Sequence, residues 1–499
     1  MKRSLIPVLL LTFVLAAVPT WAFSDIKGLF ITPPAPKFTD AERQAELARR
    51  RAAVVKAMAD KSTLILFPAE SKLYTNDVDY VYRQENNLYY LTALKQDGAT
   101  LVITKDGASV TETLFLPKRV PLREAWEGKM YSREQALTIS GLTRVVDASE
   151  RDAYFAALKE KKAFTSADGS VSIPASSEKV FLLLPMTERD ANGQREYRVE
   201  NEFSKTLTGY AVENARTIFA DLRHVKSPYE LKILQHAVDI SVEAHMRAMA
   251  AVLKANWEYE VHAEVEYTYR LRNADNWGYP SIVACGPNAT TLHYVESQSP
   301  VKKGDVLLMD AAAEYDHYTA DITRTFPVNG KFSKEQAEIY QIVYDAQEAV
   351  ARATKPGVTF DQLSAIARNT INEGLFKLGL VIDKNSRQVG IWSFHGLGHW
   401  IGMNVHDVGR YGAPLKAGMV FTNEPGIYFR EDALDNLPDT PENKAFIEKV
   451  RPVYEKYKNI GVRIEDDMLV TETGVTWMSA KLPRRMADIE AFMAARPAL

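Results

Sequence analysis

The sequence contains very little cysteine and no excess of charge of either sign. Cys285 is the only cysteine among 499 residues, which excludes an intramolecular disulfide framework. The 61 basic and 64 acidic residues leave a formal net charge of -3, so electrostatics gives no reason to expect nucleic acid or an anionic membrane as a partner. Because 46% of the residues are hydrophobic, the chain can bury large cores. These features favour a globular protein with a small partner.

Long apolar runs are also lacking, except at the N-terminus. Lys2 and Arg3 precede an apolar run from Leu5 to Val18, and Pro19-Thr20-Trp21-Ala22 follows it. The run is shorter than the ~20 residues of a spanning helix, so we interpret residues 1–22 as a cleaved signal peptide rather than a membrane anchor. This interpretation predicts export, to the periplasm or the medium if the source is bacterial, without stable membrane insertion.

The rest of the chain divides into two regions joined near residue 221. A proline-rich linker at 23–37 precedes a region at 38–221 in which helical and strand patterns alternate, which is typical of an α/β domain. Ser227, Pro228 and Glu230 then predict a capping box and the start of a long helix. The second region, 222–478, has predicted helices near 333–354 and 360–378 and predicted strands near 305–327, 418–429 and 461–471, and a peripheral tail helix is predicted at 479–499.

Histidine is scarce, yet three of the nine histidines fall in HGLGHWIGMNVHDVG at 395–409. A helix here would be strongly destabilised by Gly396, Gly398 and Gly402. The pattern of zinc proteases, in which two histidines lie four residues apart on a helix, therefore does not apply. The imidazoles of His395, His399 and His406 are therefore expected on an extended or looping backbone. Their chemical partners must come from elsewhere in the chain.

Two aspartates in VLLMDAAAEYDHYTADITRTF at 306–326 are candidate partners. A hairpin with Tyr315-Asp316 at its turn would place Asp310 opposite Asp321 and Glu314 opposite His317. The two aspartates would then share one face with Cβ atoms ~5 Å apart, which suits metals ~3.5 to 4 Å apart. Two solvated aspartates at a sheet edge are the alternative.

Two glutamates occupy similarly unusual settings, Glu424 in VFTNEPGIYF and Glu465 in GVRIEDDMLV. A glutamate among buried strand residues is costly unless it is paired or binds a metal. Each alone could be solvated or form a salt bridge. Four carboxylates and one neutral imidazole together suit two divalent cations, with manganese favoured by the oxygen-rich ligands and cobalt or zinc as alternatives. A metal pair makes hydroxide available near neutral pH, which predicts hydrolysis.

These residues resemble a known family in five segments along the chain. MDAAAEYDHYTADITRTF, HGLGHWIG, NEPGIY and GVRIEDD are similar to the dinuclear site of the pita-bread metallopeptidases related to methionine aminopeptidase, most closely Xaa-Pro aminopeptidase (aminopeptidase P) and prolidase. The similarity covers about 222–475, and YRQENNLYYLTAL at 82–94 resembles the creatinase-like N-terminal domain of aminopeptidase P. The resemblance implies an α/β (α+β) chain with a creatinase-like N-terminal α/β domain followed by a pita-bread catalytic domain.

The resemblance also implies the ligands of the two metals. Asp310 would bind one metal, Asp321 and Glu465 would bridge both, and His399 and Glu424 would hold the other. Glu424 would in addition shuttle the proton of the nucleophilic water. The implied reaction is hydrolysis of an N-terminal Xaa-Pro bond by a metal-bridged hydroxide, with peptides that carry proline in the second position as substrates.

Five further residues match positions that lie around the substrate in this family. His293 and His406 would position the scissile carbonyl and the leaving group and stabilise the tetrahedral intermediate. His395 would line the pocket, and Arg463 and Tyr428 would support the ligands. Because an Xaa-Pro bond lacks an N-H and its leaving nitrogen must gain a proton, imidazoles suit both tasks.

Two other functions remain open from the sequence. The charged, helix-like insertion at 430–459, between Glu424 and Glu465, looks more like prolidase, whereas the motif at 82–94 and the signal peptide favour aminopeptidase P. A metal-free binding module of the same fold would be expected to lose ligands, and all five are present. Family members often associate through the N-terminal domain, so a homodimer or homotetramer is expected.

Overall fold

The computed structural model describes residues 28–185 and 197–495. The predicted signal peptide at 1–22 lies outside the described residues, as does the first part of the predicted linker. Among the helices that are described, none is long and apolar enough to cross a membrane.

The N-terminal region is built around a mixed six-stranded sheet. The strand Ser62–Leu66 is buried along its whole length, as expected for an apolar strand covered on both faces. It pairs antiparallel with Thr100–Asp106 and parallel with Lys179–Leu182. In spatial order, the strands are Ala211–Asn214, Lys179–Leu182, Ser62–Leu66, Thr100–Asp106, Ser109–Leu116 and Arg144–Asp147.

Helices surround this sheet, and the first one begins with a capping box at Thr39. The motif at 82–94 contains the short helix Asn86–Thr92, in which all seven residues are buried. The α-helices among the described residues of this region are Asp40–Ala57, Asn86–Thr92, Pro121–Glu127, Arg133–Ser140, Arg151–Lys159, Arg198–Ser204 and Arg216–His224. Two short strand pairs complete the region: Leu73–Thr75 with Val78–Asp79, and Phe164–Thr165 with Ser172–Ile173.

The second region starts with the long helix that the sequence predicts. The capping box at Ser227 and Glu230 is present, and the helix Pro228–Ala251 follows it. The predicted helices near 333–354 and 360–378 are confirmed. The α-helices after the first are Glu258–Leu271, Lys334–Ala353, Phe360–Leu378, Val389–Trp392, Pro441–Tyr454 and Met486–Ala495.

Short antiparallel sheets lie among these helices and carry the candidate site. One has the order Ile282–Cys285, Val306–Asp310 and Thr323–Pro327, and another the order Val420–Asn423, Asp466–Val470 and Val475–Trp477. Gly426–Tyr428 pairs with Gly461–Arg463. The remaining small sheet contains Asn276–Trp277, Ala313–Tyr315 and Tyr318–Thr319. The strands predicted near 305–327, 418–429 and 461–471 therefore form as several short segments.

Two peripheral segments are more firmly packed than the sequence suggests. The described part of the tail helix is Met486–Ala495, which begins later than predicted, and it buries Ile489, Phe492 and Met493. In the predicted linker, residues 28–38 form no helix or strand, as expected, but Thr32 is buried and donates hydrogen bonds from its N and Oγ1 to Glu243 Oε2, at 2.8 and 2.6 Å. This part of the linker is therefore attached to the second region.

Candidate metal centre

The hairpin that carries the two aspartates has a different register from the predicted one. Asp310 lies opposite Thr323, and Glu314 lies opposite Thr319. The prediction that Asp310 faces Asp321 and Glu314 faces His317 is therefore wrong. The turn residues are Asp316 and His317, with φ of 49° and 66°. A two-residue turn of this type needs positive φ at both central positions, which Asp and His adopt more readily than Tyr315.

The two aspartates nevertheless converge, as diagonal neighbours on one face of the hairpin. The Tyr279 hydroxyl lies 2.5 Å from Asp310 Oδ1 and 2.6 Å from Asp321 Oδ1. A phenol has a single proton and cannot donate to both carboxylates at once. One of the two contacts therefore needs a protonated carboxyl group, or a cation that relieves the repulsion between the carboxylates.

His399 and two glutamates reach the same point from three other segments. One ligand atom each from Asp321, His399 and Glu465 lie within 4.8 Å of one another. His399 Nε2 is 3.2 Å from Asp321 Oδ2 and 3.4 Å from Glu424 Oε1. Separations of about 3 Å are expected between atoms that share an ion at ~2.0 to 2.2 Å. The structure thus brings the predicted ligands together, and the role assigned to each stays a prediction.

The backbone around His399 explains why its Nε2 faces the carboxylates. The segment 394–409 contains no helix, as the glycines predicted. A Cβ on Gly398 would lie 2.1 Å from Thr422 O, so only glycine allows this close approach to the strand Val420–Asn423. His399 N donates to Thr422 Oγ1 at 2.9 Å, and His399 Nδ1 lies 3.2 Å from Trp400 O. When His399 Nδ1 carries the proton and donates it to this carbonyl, Nε2 has a free lone pair and can bind a metal.

Burial makes the negative charges of the cluster costly. Burial raises the pKa of Glu465 well above its usual value, and the charge of Asp321 adds to this effect. Burial likewise raises the pKa of Asp321, and it raises that of Glu424 to about 7. Burial alone would lower the pKa of His399, but its hydrogen bond to Asp321 and the neighbouring carboxylates raise it to about 9. The buried oxygen-rich donor set therefore fits a pair of divalent cations, which would offset this charge.

A chain of hydrogen bonds holds Asp310, one of the predicted metal ligands. Arg463 Nη2 donates to Asp310 Oδ2 at 2.5 Å and Arg463 Nη1 donates to the Tyr428 hydroxyl at 2.9 Å. That hydroxyl lies 2.8 Å from His395 Nε2, and His395 Nδ1 lies 2.8 Å from Gly396 O. Burial lowers the pKa of His395 to about 4, so its ring is neutral near pH 7 and can accept the Tyr428 proton. Arg463 is thereby held in contact with Asp310.

Of the remaining two histidines, His406 adjoins the cluster and His293 interacts electrostatically with His406. The ring of His406 is 4.2 Å from that of His399 in an edge-on arrangement. Burial, followed by the charges of His399 and His293, lowers the pKa of His406. His293 and His406 are both exposed in this structure. They are thus available to a ligand that enters the site.

Sequence reasoning missed four residues that shape the site. Tyr279 contacts both aspartates, and nothing in its local sequence indicates this. Asp467, fully buried, accepts a hydrogen bond from Asp321 N at 3.1 Å, and the two acids after Glu465 in an apolar strand could have revealed it. Asp407 forms a buried ion pair with Arg223 and accepts a hydrogen bond from Met403 N at 3.3 Å. This pair fixes the loop that carries His406.

The N-terminal motif at 82–94 holds the same loop from the other side. Arg83 Nη2 donates to Met403 O at 2.8 Å, and Asn86 Nδ2 donates to Asn404 Oδ1 at 2.7 Å. Arg83 Nε also lies 2.9 Å from both carboxylate oxygens of Glu314. The N-terminal region therefore acts as a support for the His406 loop.

Both regions match models of known protein families. Residues 232–472 match the model of metallopeptidase family M24, and residues 47–165 match the aminopeptidase P N-terminal domain. Both ranges fall inside the regions predicted at 222–478 and 38–221, whose boundaries stay predictions.

Most of the chain is also similar to named relatives. The Xaa-Pro aminopeptidase of Haemophilus influenzae is 34% identical over 458 residues, which cover 90% of this chain and 97% of the relative. Xaa-Pro aminopeptidase 3 of Mus musculus is 31% identical over 439 residues, or 86% and 80% of the two chains.

Solved structures show the same architecture. Aminopeptidase P from Escherichia coli with the inhibitor Pro-Leu superposes with a TM-score of 0.76 at 30% identity, covering 92% of this chain and 99% of that one. Pseudomonas aeruginosa aminopeptidase PepP gives a TM-score of 0.75 at 32% identity, covering 91% and 98%. The predicted fold, an N-terminal α/β domain followed by a pita-bread catalytic domain, is confirmed. The chain belongs to metallopeptidase family M24, within the group that carries an aminopeptidase P N-terminal domain.

Proposed function

We propose that this protein removes the N-terminal residue from peptides that carry proline in the second position. The observation that carries the proposal is the meeting of Asp321, His399 and Glu465 within 4.8 Å, with Asp310 and Glu424 beside them. Family membership makes the chain a metallo-exopeptidase, and its whole-length similarity is to Xaa-Pro aminopeptidases.

The five predicted ligands would hold two divalent cations, for which we propose manganese. When bound, such a pair supplies a deprotonated water near neutral pH and polarises a carbonyl oxygen. Asp321 and Glu465 suit a shared position, because Asp321 contacts both Tyr279 and His399 and Glu465 is anchored by Thr323 Oγ1 at 2.6 Å. Glu424 keeps some exposure, with 15% of its side chain accessible, so it can exchange a proton with a substrate.

The exposed histidines suit the substrate side of the reaction. His406, next to His399, can donate a hydrogen bond to the oxygen of the scissile carbonyl as negative charge develops on it. His293 can hold the peptide at the leaving group, whose proline nitrogen must gain a proton. The absence of an N-H on the Xaa-Pro bond makes such contacts to the carbonyl and the nitrogen more important than backbone pairing.

Substrate length separates this proposal from the prolidase alternative. The Escherichia coli relative has been solved with Pro-Leu as an inhibitor, and Pro-Leu is the fragment that would remain after an N-terminal residue leaves Xaa-Pro-Leu. In this chain the insertion at 430–459 forms the helix Pro441–Tyr454, which buries Phe446, Val450 and Tyr454. Tyr454 stacks on Trp392 with ring centroids 5.6 Å apart, so the helix serves packing. These observations favour the aminopeptidase.

The proposal predicts which peptides are cleaved and which metal restores activity. Metal-stripped protein should recover activity with manganese and release the first residue from Xaa-Pro-Xaa and longer peptides as well as from Xaa-Pro. Mass spectrometry of the products, with cobalt, zinc and magnesium added in parallel, measures both. A peptide with alanine in place of proline is the matched control and should be a poor substrate. Cleavage of dipeptides alone would favour prolidase, and activity that ignores added metal would refute the metal centre.

We also propose that the chain is exported and that its signal peptide is removed. The first support is the basic and apolar pattern of residues 1–22. The second is that the segment 28–38, which begins after the proposed cleavage site, is attached to the second region through Thr32. Expression in a bacterial host should yield a mature protein that begins at Phe23, as measured by intact mass. A full-length protein retained in the cytoplasm would contradict this. Self-association as a dimer or tetramer stays a prediction.

A further inference from the structure

A buried glutamate outside the metal centre organises the segment that carries His293. Glu258 is the first residue of the helix Glu258–Leu271, and its exposed fraction is 0%. Among the described residues no basic side chain pairs with it. A buried carboxylate without a cation needs several hydrogen-bond donors, and the N-terminus of a helix also favours its charge.

Glu258 has four such donors, and they lie on both sides of His293 in the sequence. On the N-terminal side, Glu258 Oε1 accepts from Cys285 N at 2.7 Å and from Asn288 Nδ2 at 3.0 Å. On the C-terminal side, Glu258 Oε2 accepts from the Tyr294 hydroxyl and from Ser299 N, both at 2.8 Å. One carboxylate therefore ties together the two ends of the segment 285–299.

The same segment is packed closely against the metal-binding strands. A Cβ on Gly461 would lie 2.0 Å from Ala289 O, so the turn before His293 touches the strand that leads to Arg463. Leu292 and Tyr294, the two neighbours of His293, pack against a small apolar cluster that includes Leu308 and Tyr428. The backbone on each side of His293 is thus fixed relative to the centre.

The His293 ring itself has no comparable support. It is exposed, and within the described residues no hydrogen bond or ion pair involves it. Its location is therefore set by the segment, and the segment is set by Glu258. We propose that Glu258 is a positioning residue for the reaction, which holds His293 in the location that its proposed role requires, through Tyr294 and the two backbone amides, without contacting the substrate. This inference rests on the proposed function of His293.

Tyr294→Phe tests the inference, because it removes one of the four hydrogen bonds to Glu258 and preserves the ring. It also removes the hydrogen bond that the Tyr294 hydroxyl accepts from Gln298 N at 3.2 Å, within the same segment. We expect kcat for an Xaa-Pro-Xaa peptide to fall about tenfold, with KM changed less than about twofold, since small displacements of a catalytic group are costly. In a His293→Ala background the same substitution should change kcat less than about twofold, because the group that it displaces is already gone. Glu258→Gln should have a larger effect than Tyr294→Phe while the bound metal is unchanged.

The matched control is Tyr457→Phe, which removes a similar phenol-to-glutamate hydrogen bond, to Glu338 at 2.7 Å, and should leave kcat unchanged. An equal loss from Tyr294→Phe in both backgrounds, or no loss in the wild-type background, would overturn the positioning role while leaving the proposed function intact. If His293→Ala alone retained full kcat, the role of His293 in the proposed function and the positioning role would both fail.

Discussion

Asp321→Ala should abolish peptide hydrolysis, lowering kcat/KM by more than about a thousandfold. Asp321 lies at the centre of the cluster, where its two oxygens contact the Tyr279 hydroxyl and His399 Nε2, at 2.6 and 3.2 Å. Alanine removes a ligand that both cations would share, so neither would keep its geometry. The substitution also removes one of several buried negative charges whose mutual repulsion is unfavourable without metal. The metal-stripped variant should therefore fold at least as well as the metal-stripped wild type.

Asp239→Ala is the matched control for this experiment. Asp239 is a half-buried aspartate on the helix Pro228–Ala251, with a pKa that burial raises, and it accepts a hydrogen bond from Gln235 Nε2 at 3.1 Å. Its replacement should leave kcat/KM within about twofold, as expected away from the site. Steady-state kinetics and circular dichroism on both variants, with metal content measured in parallel, decide the matter. A fully active Asp321→Ala enzyme would refute the assignment of the site.

We expect the free energy of unfolding of the metal-free protein to fall as the pH rises. Glu424 has its pKa raised by burial from an ordinary 4.5 to about 7, so the folded state binds a proton more tightly than the unfolded state. The stability from this proton is present at low pH and is lost between about pH 4.5 and 7. The pKa of His399, raised to about 9, acts in the same direction, because its contribution is complete below pH 6.5 and is lost as the pH passes 9. Both groups therefore destabilise the metal-free protein at alkaline pH.

Thermal unfolding of metal-stripped protein measures this effect. Between pH 5 and pH 8 we expect the Tm to fall by about 3 °C or more. Added manganese should raise the Tm more at pH 8 than at pH 5, because metal ligands must be deprotonated and binding to the folded state stabilises it. Glu424→Gln removes one titrating group and should reduce the pH dependence. If the metal-stripped wild type is as stable at pH 8 as at pH 5, the inference that buried negative charge destabilises the metal-free cluster is contradicted.

Local sequence patterns were sufficient for elements whose signals are local. The capping box at Ser227 and Glu230 marked the start of a long helix, and Gly398 excluded a helix around His399. The convergence of distant acids was predictable from chemistry, since Glu424 and Glu465 are costly in apolar strands unless a cation or a partner compensates them.

Features that depend on tertiary contacts were not predictable in this way. The predicted hairpin register was wrong because Asp316 and His317 take the two positive-φ turn positions. His317 is also held there by stacking on Tyr89 of the other region, with ring centroids 3.7 Å apart, and this contact has no local sequence signal. Tyr279 lies in the loop after the strand Asn276–Trp277, and Glu258 is the first residue of a helix. Neither position carries a motif, and their roles follow only from the atoms that they contact. The segment 28–38 was predicted to be a linker because its composition is rich in proline. Its hydrogen bond to Glu243 spans more than two hundred residues of sequence, so no local pattern indicates it.

A crystal structure of the manganese-loaded protein, with anomalous diffraction data, tests the central claim most directly. The account predicts two anomalous peaks ~3.5 to 4 Å apart, enclosed by Asp310, Asp321, His399, Glu424 and Glu465, with the Tyr279 hydroxyl no longer bonded to both aspartates. A fully active crystal form with no metal among these five side chains, or with metal bound elsewhere, would contradict it.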